Sequence, residues 1–238
     1  MSIGSFLARS VQILKKEPVI LVPYSCFYFF SLILEKQFSF EITFLSSISF
    51  STIQLLLLRW FVDLFVSLLT VSFVVYIAAN RDIDISKALS SAFHNLPKLL
   101  LSSVAVVFPL IVLVLITGLS ANALSNFQAL IFIFLLIPLS IILQFLPVST
   151  YFNQQGVLNG IKRLILFLID QKVAVLKLSF LMFFLTLSTY TIGEVFSLIP
   201  VIGEALFTGL FFGCFSAFST TLTVVFYQSF FKRSDKLV

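Results

Sequence analysis

The distribution of basic residues is the feature that most constrains how this chain folds. Thirteen of its fifteen Lys and Arg residues fall into four clusters, and long apolar segments separate these clusters. They are Arg9, Lys15 and Lys16, then Arg81, Lys87 and Lys98, then Lys162, Arg163, Lys172 and Lys177, and finally Lys232, Arg233 and Lys236. Because cytoplasmic loops of membrane proteins are rich in Lys and Arg, the clusters predict a multi-pass protein of the cytoplasmic (inner) membrane with both termini in the cytoplasm.

The composition agrees with this class of protein. Apolar residues make up 60% of the 238 positions and charged residues 11%, whereas soluble domains average about 45–50% and about 25%. No polar stretch is long enough for a soluble domain, so we interpret residues 1–238 as a single integral membrane domain. The net charge of +5 is explained by the cytoplasmic loops, and we expect no nucleic-acid partner.

Six segments are apolar and long enough to cross a bilayer, which takes about 20 helical residues. They lie at about 18–34, 53–79, 99–119, 127–151, 173–192 and 201–231. Shorter amphipathic segments with a basic polar face lie at 3–16, 85–96 and 157–168. We expect each of these three to form a helix on the cytoplasmic membrane surface, the second capped by Asp82 or Asp84. The predicted fold is therefore all-α and polytopic, with six transmembrane helices and three cytoplasmic interfacial helices.

The order of these segments suggests a threefold internal repeat. Each unit would contain an amphipathic helix, an outward span and a return span. These units comprise residues 1–80, 81–153 and 154–231. Tyr76, Tyr151 and Tyr227 lie near the cytoplasmic ends of the return spans at nearly constant spacing, as a parallel repeat about the membrane normal would require. The alternative is that tyrosine is common at membrane interfaces in general.

Three segments resemble a known group of proteins. They are the amphipathic helix and span at 84–107, the outer turn Leu198-Ile199-Pro200-Val201-Ile202-Gly203, and the end of the last span, Val224-Val225-Phe226-Tyr227. Together they resemble uncharacterised prokaryotic six-span membrane proteins, a group similar to the membrane domain fused to some glycerophosphodiester phosphodiesterases. The chain contains no phosphodiesterase domain, so no hydrolase activity carries over. The resemblance implies a membrane protein with an accessory or unassigned function, and it supplies no catalytic residues.

Ionisable residues inside predicted spans are the best indication of a functional site, because charge is costly in hydrocarbon. Arg59 and Asp63 lie four residues apart on one helical face, in the outer half of the second span. They predict either a ligand-binding site or a structural ion pair. Glu194 and Glu204 occur in two Ile-Gly-Glu triplets that flank Pro200. They predict either a cation- or proton-binding site or two carboxylates that reach outer water.

Small residues and prolines indicate how the helices pack. Small residues recur every four positions in the last span, at Gly209, Gly213 and Ala217. This spacing lets another helix approach closely, either within the chain or across a homodimer. Prolines inside three spans predict kinked helices, which favour a bundle with a central cavity. These prolines are Pro23, Pro109 and Pro138.

The sequence contains no recognisable catalytic residues, no metal-ligand spacing and no cofactor motif, so we expect a protein without enzymatic activity. Its single histidine, His94, lies on the polar face of the second amphipathic segment. The favoured hypothesis is a binding or transport module for a lipid-like or amphiphilic molecule, with membrane lipids as partners. The alternative is a membrane scaffold or accessory subunit for a partner permease or lipid enzyme, in which a protein partner or a homo-oligomer would form.

Overall fold

The chain is helical in every region that the structure describes. A computed structural model describes residues 3–38, 50–79, 81, 83–119, 126–153, 156–197 and 207–234, and these ranges contain no strand. The helices are α1 Ile3–Lys16, α2 Val22–Phe38, α3 Phe50–Ala78, α4 Ile85–Leu119, α5 Asn126–Phe152, α6 Val157–Asp170, α7 Lys172–Ser197 and α8 Gly213–Ser234. A 3₁₀ turn, Pro18–Leu21, precedes α2, and a π-helical segment, Phe207–Phe212, leads into α8.

Several of these helices are suited to crossing a membrane. Within the described residues, four segments are long and apolar enough to do so. They are Leu57–Ala78, Ile85–Pro109, Lys172–Thr189 and Gly209–Phe230. The apolar helices Pro18–Ser31 and Ile137–Phe152 are shorter. A chain with four such helices is an integral membrane protein by composition and length.

The amphipathic segments differ in how they join the spans. α1 and α6 are separate helices, as expected, but the second segment is the beginning of the 35-residue helix α4. The prediction of a separate second interfacial helix is therefore wrong. Pro97 lies inside α4 and lacks the N–H that would bond to the carbonyl of Phe93, but the helix continues past it.

The start of α4 is fixed by a side-chain cap. Asp84 Oδ1 accepts a hydrogen bond from the backbone N–H of Lys87 at 3.1 Å, and its Oδ2 lies 3.0 Å from Lys87 Nζ. These bonds hold the pKa of Asp84 below its usual range. Asp84 is thus the cap that the sequence predicted, whereas Asp82 lies outside the described residues.

The helices predicted as return spans, α3, α5 and α8, contact one another at the centre of the bundle. Buried residues of all three helices lie there. They form the runs 70–74, 145–146 with 148–150, and 221–227. Tyr76, Tyr151 and Tyr227 lie at or just beyond the ends of these runs and are 75 and then 76 residues apart.

The helices that contain the amphipathic segments pack around the central helices. α1 packs mainly against α8 and α6 mainly against α5, whereas α4 packs against both α3 and α5. An aromatic ring of each amphipathic helix takes part. The ring centroids are 5.4 Å apart for Phe6 and Phe226, 4.7 Å for Phe93 and Phe65, and 6.0 Å for Phe167 and Phe145. Phe93 itself stays mostly exposed, and the buried face of the second amphipathic segment consists of Ala88, Ala92 and Leu96. The first and third segments likewise bury one face against the bundle.

The prolines have unequal effects on the helices. Pro109 and Pro138 lie inside α4 and α5, as predicted, and Pro147 also lies inside α5. Pro23 lies in the first turn of α2, directly after the 3₁₀ turn. A proline in a first turn removes no intrahelical hydrogen bond, so the prediction of a kink at Pro23 is wrong.

Candidate functional site

Arg59 and Asp63 lie on one face of α3, four residues apart and close to the middle of the helix. Asp63 is half-buried, whereas the side chain of Arg59 is exposed on the bundle surface. Both residues line the same pocket, of about 290 Å³, together with Phe27, Tyr28 and Trp60. We call this pocket, between α2 and α3, the aromatic pocket. It combines a carboxylate, a guanidinium group and three aromatic rings.

A second cavity, of about 250 Å³, adjoins the first because Tyr28 and Asp63 line both. Four helices, α2, α3, α5 and α8, contribute its walls. Its polar lining residues are Tyr24, Tyr28, Asp63, Ser67, Gln144, Ser216, Ser219, Thr220 and Thr223, and its apolar ones are Leu143, Pro147, Val148 and Phe215. We call it the hydroxyl cavity, because most of its polar groups are hydroxyls.

Hydrogen bonds connect three of the helices around the hydroxyl cavity. The Tyr24 hydroxyl lies 2.9 Å from Ser67 Oγ and 3.1 Å from Thr220 Oγ1, and Ser67 donates to the backbone carbonyl of Asp63 at 2.8 Å. A hydroxyl has a single proton to donate. The protons therefore point in one direction, from Thr220 to Tyr24, from Tyr24 to Ser67, and from Ser67 to the turn of α3 that carries Asp63.

Two further hydrogen bonds complete the polar lining. Ser216 Oγ donates to the Tyr28 hydroxyl at 3.1 Å, which joins α8 to α2. Gln144 Nε2 donates to Thr223 Oγ1 at 3.3 Å, which joins α5 to α8. Polar groups inside a membrane bundle need such partners, because lipid offers none. The cavity is therefore lined by groups whose positions are fixed by bonds between helices.

The small residues of the last span explain why α2 and α8 lie close enough to share this lining. A Cβ atom added to Gly213 would lie 2.6 Å from the backbone Cα of Ser25, and one added to Gly209 would lie 3.1 Å from the Phe29 ring. Ala217, one turn further on, is fully buried. The glycines thus pack against α2 within the chain, and Ser216 and Thr220 follow on a neighbouring face of α8.

The second predicted carboxylate pair is not part of the described cavity lining. Glu194 lies on α7, but its side chain is not among those the structure describes, and Glu204 lies outside the described residues. α7 packs mainly on α6 and on the π-helical segment. Its exposed apolar side chains include Phe180, Phe183 and Phe184. A binding role for Glu194 and Glu204 therefore stays a prediction.

Sequence reasoning missed most of the cavity lining. Tyr24, Tyr28 and the hydroxyl residues of α8 were not singled out, and neither was Gln144. A signal was present: α5 is apolar over most of its 27 residues, so an amide in its interior is unusual. Five of the eight residues from Ser216 to Thr223 are Ser or Thr, which would have indicated a polar face on α8.

The comparisons do not assign the site. No family model, curated protein or solved structure matches this chain. Among the described residues, no group of three or more His, Cys, Asp or Glu side chains is placed to hold a metal ion. The function is therefore inferred from the two adjoining cavities alone.

Proposed function

We propose that this protein is a membrane-embedded binding or transport module for a lipid-like or amphiphilic molecule. The observation that carries this proposal is the pair of polar cavities that meet at Tyr28 and Asp63 inside an apolar bundle. Polar residues in a membrane interior are expensive and usually line a substrate pathway or binding site. An amphiphile matches the setting, because its polar end suits the cavities and its apolar part suits the surrounding lipid.

The size of the cavities supports this class of ligand. Ligand pockets in proteins measure about 300–1,000 Å³. The aromatic pocket and the hydroxyl cavity, of about 290 and 250 Å³, reach this range when a ligand occupies both. A lipid headgroup or a small amphiphile is of this size.

The same proposal includes the topology. We place six spans in the cytoplasmic membrane, with both termini in the cytoplasm. α2 and α5 supply the two spans beyond the four segments that are long and apolar enough within the described residues. α5 has 27 residues, or about 40 Å of helix. The clustered basic residues support the orientation. The nearly constant spacing of Tyr76, Tyr151 and Tyr227 supports three repeated units at 1–80, 81–153 and 154–231.

Native mass spectrometry tests the binding function. We expect protein extracted gently from its own membrane to carry an additional mass that matches a lipid or small amphiphile. Ser219 lines the hydroxyl cavity, so Ser219→Leu should fill the cavity and lower the retained fraction roughly tenfold, a loss of about 1.4 kcal/mol in binding.

Ser140→Leu is the matched control, because Ser140 lies on the exposed surface of α5 and bonds only to the carbonyl of its own helix at Ile137. This variant should retain the ligand. Equal loss from both variants would contradict the cavity as the binding site. A co-purifying polypeptide without any small ligand would favour the scaffold alternative.

A further inference from the structure

The aromatic pocket contains one positive and one negative side chain, and their order along α3 is set by their positions in the helix. Arg59 and Asp63 are one turn apart, so their Cα atoms are displaced along the helix axis by about 6 Å and their Cβ atoms lie about 5–6 Å from each other. The two side chains also interact electrostatically. An empty pocket therefore holds a balanced pair of charges, and a ligand that enters it must match both signs to avoid leaving one of them uncompensated.

The negative side of the pocket is suited to an amine. Asp63 supplies a carboxylate, and Phe27, Tyr28 and Trp60 supply aromatic rings around the same volume. Ammonium groups bind to carboxylates through charge-assisted hydrogen bonds and to aromatic faces through cation–π attraction, for which Trp is the best partner. The half-buried position of Asp63 strengthens such contacts, because less water screens them.

The positive side of the pocket is suited to a phosphate. A guanidinium group matches the geometry of phosphate oxygens and can bind two of them at once. The Arg59 side chain is exposed on the bundle surface while it also lines the pocket, so a lipid beside the protein can reach it. Exposed apolar residues that neighbour the lining residues along α2 and α3 offer a surface for acyl chains. These residues are Phe30 on α2 and Leu57, Leu58 and Phe61 on α3.

From this arrangement we propose that the aromatic pocket binds the zwitterionic amine–phosphate headgroup of a membrane phospholipid. Its phosphate would bind Arg59, its terminal ammonium would lie against Asp63, Tyr28 and Trp60, and its acyl chains would stay in the bilayer. This inference rests on the proposed binding function and names its ligand class. An anionic headgroup without an amine matches the pocket less well, because it would bring a second negative charge towards Asp63.

Native mass spectrometry of the full chain tests the headgroup preference. The protein is reconstituted in nanodiscs of equal amounts of phosphatidylethanolamine and phosphatidylglycerol, released in the spectrometer, and scored for the ratio of the two lipids it retains. We expect the wild-type protein to retain phosphatidylethanolamine in excess. Asp63→Asn should reduce this excess about tenfold, because it removes the negative charge and changes the shape little.

Further variants separate binding from structure. Trp60→Leu should also reduce the preference while leaving both charges in place, so it tests the pocket even if Asp63→Asn does not fold. The charge exchange Arg59→Asp with Asp63→Arg keeps an internal ion pair but reverses the order of charges. This double variant should unfold at the same temperature as the wild-type protein, because an ion pair is still present. It should no longer prefer phosphatidylethanolamine. Ser140→Ala, on the exposed surface of α5, should change neither property.

Several outcomes would overturn the inference. If the wild-type protein retains both lipids equally, the headgroup assignment is wrong but the proposed binding function is unaffected. If it retains no lipid, the headgroup assignment and the binding function are both wrong. A preference that persists in Asp63→Asn and Trp60→Leu would place the site elsewhere. Displacement of the lipid by free phosphoethanolamine would show a soluble ligand in place of a membrane phospholipid.

Discussion

The missing Cβ atom of Gly213 sets how closely α2 and α8 can approach each other. Its missing side chain lets the backbone of Ser25 approach to a distance that no Cβ atom tolerates, since an added Cβ would lie 2.6 Å from the Ser25 Cα. The obstacle is backbone, which cannot move aside as a side chain can. The hydrogen bonds of Tyr24 and Tyr28 to α8 depend on this approach, because both tyrosines lie on α2 close to Ser25.

Gly213→Ala is therefore expected to destabilise the protein by about 1–3 kcal/mol, the usual cost of an overpacked core. Gly160 is the matched control, because an added Cβ meets nothing within 4 Å there. Gly160→Ala should stabilise helix α6 by about 0.5–1 kcal/mol, since alanine has less backbone freedom to lose. Thermal unfolding of the two variants in detergent measures the difference, and equal melting temperatures would contradict the close packing of α2 and α8.

The end of α5 is stabilised by a residue from another helix. Lys98 Nζ, on α4, donates a hydrogen bond to the backbone carbonyl of Asn153, directly after α5 ends at Phe152. The last carbonyls of a helix have no partner within it and carry partial negative charge. A lysine at this position donates to one of them, and its positive charge interacts favourably with the negative end of the helix dipole. This contact joins α4, just after its amphipathic segment, to the helix that carries Gln144.

Removing this cap tests its contribution at the element scale. Lys98→Met keeps most of the apolar stem and removes the ammonium group, so we expect a loss of about 1–2 kcal/mol in the free energy of unfolding. Lys177→Met, at an exposed position of α7, should change stability little. Comparable losses in the two variants would mean that removal of any lysine has this effect and that the cap contributes nothing specific.

The whole molecule is arranged around three central helices. α3, α5 and α8 contact one another, and the helices with amphipathic segments surround them, with α1 mainly on α8, α4 on α3 and α5, and α6 mainly on α5. These contacts form a closed ring, because the first amphipathic helix, α1, packs against the last central helix, α8. A chain of three repeated units placed around one axis would produce this pattern. It also requires the three amphipathic helices to lie on the same side of the membrane.

Cysteine labelling tests this requirement. In a background with Cys26→Ala and Cys214→Ala, the single substitutions Arg9→Cys, Lys87→Cys and Lys162→Cys place one thiol on each amphipathic helix, at positions that are exposed in the fold. A membrane-impermeant maleimide should label none of them in intact cells and all of them in inverted vesicles.

Lys36→Cys is the positive control, since the proposed topology places this residue outside. Labelling of any amphipathic position in intact cells would contradict the proposed orientation. Opposite sides for two of the three amphipathic helices would contradict the repeat.

The sequence by itself determined the helical class, the amphipathic segments, a helix cap at Asp82 or Asp84, and the placement of Arg59 and Asp63 on one face. Each of these follows from local periodicity or from a side chain and its near neighbours. The sequence analysis did not predict that α4 continues through Pro97. A proline often marks a helix boundary, but the packing around it decides whether the helix ends there.

Only the tertiary structure decided which helices share a cavity. The hydrogen bond between Tyr24 and Thr220 joins residues 196 positions apart, and Ser216 and Tyr28 are 188 apart. The pattern along one helix indicates which face is polar, but it contains no information about which other polar face lies opposite. That pairing is set by close packing at Gly213 and by the order of α3, α5 and α8 around the centre, and both depend on the whole bundle.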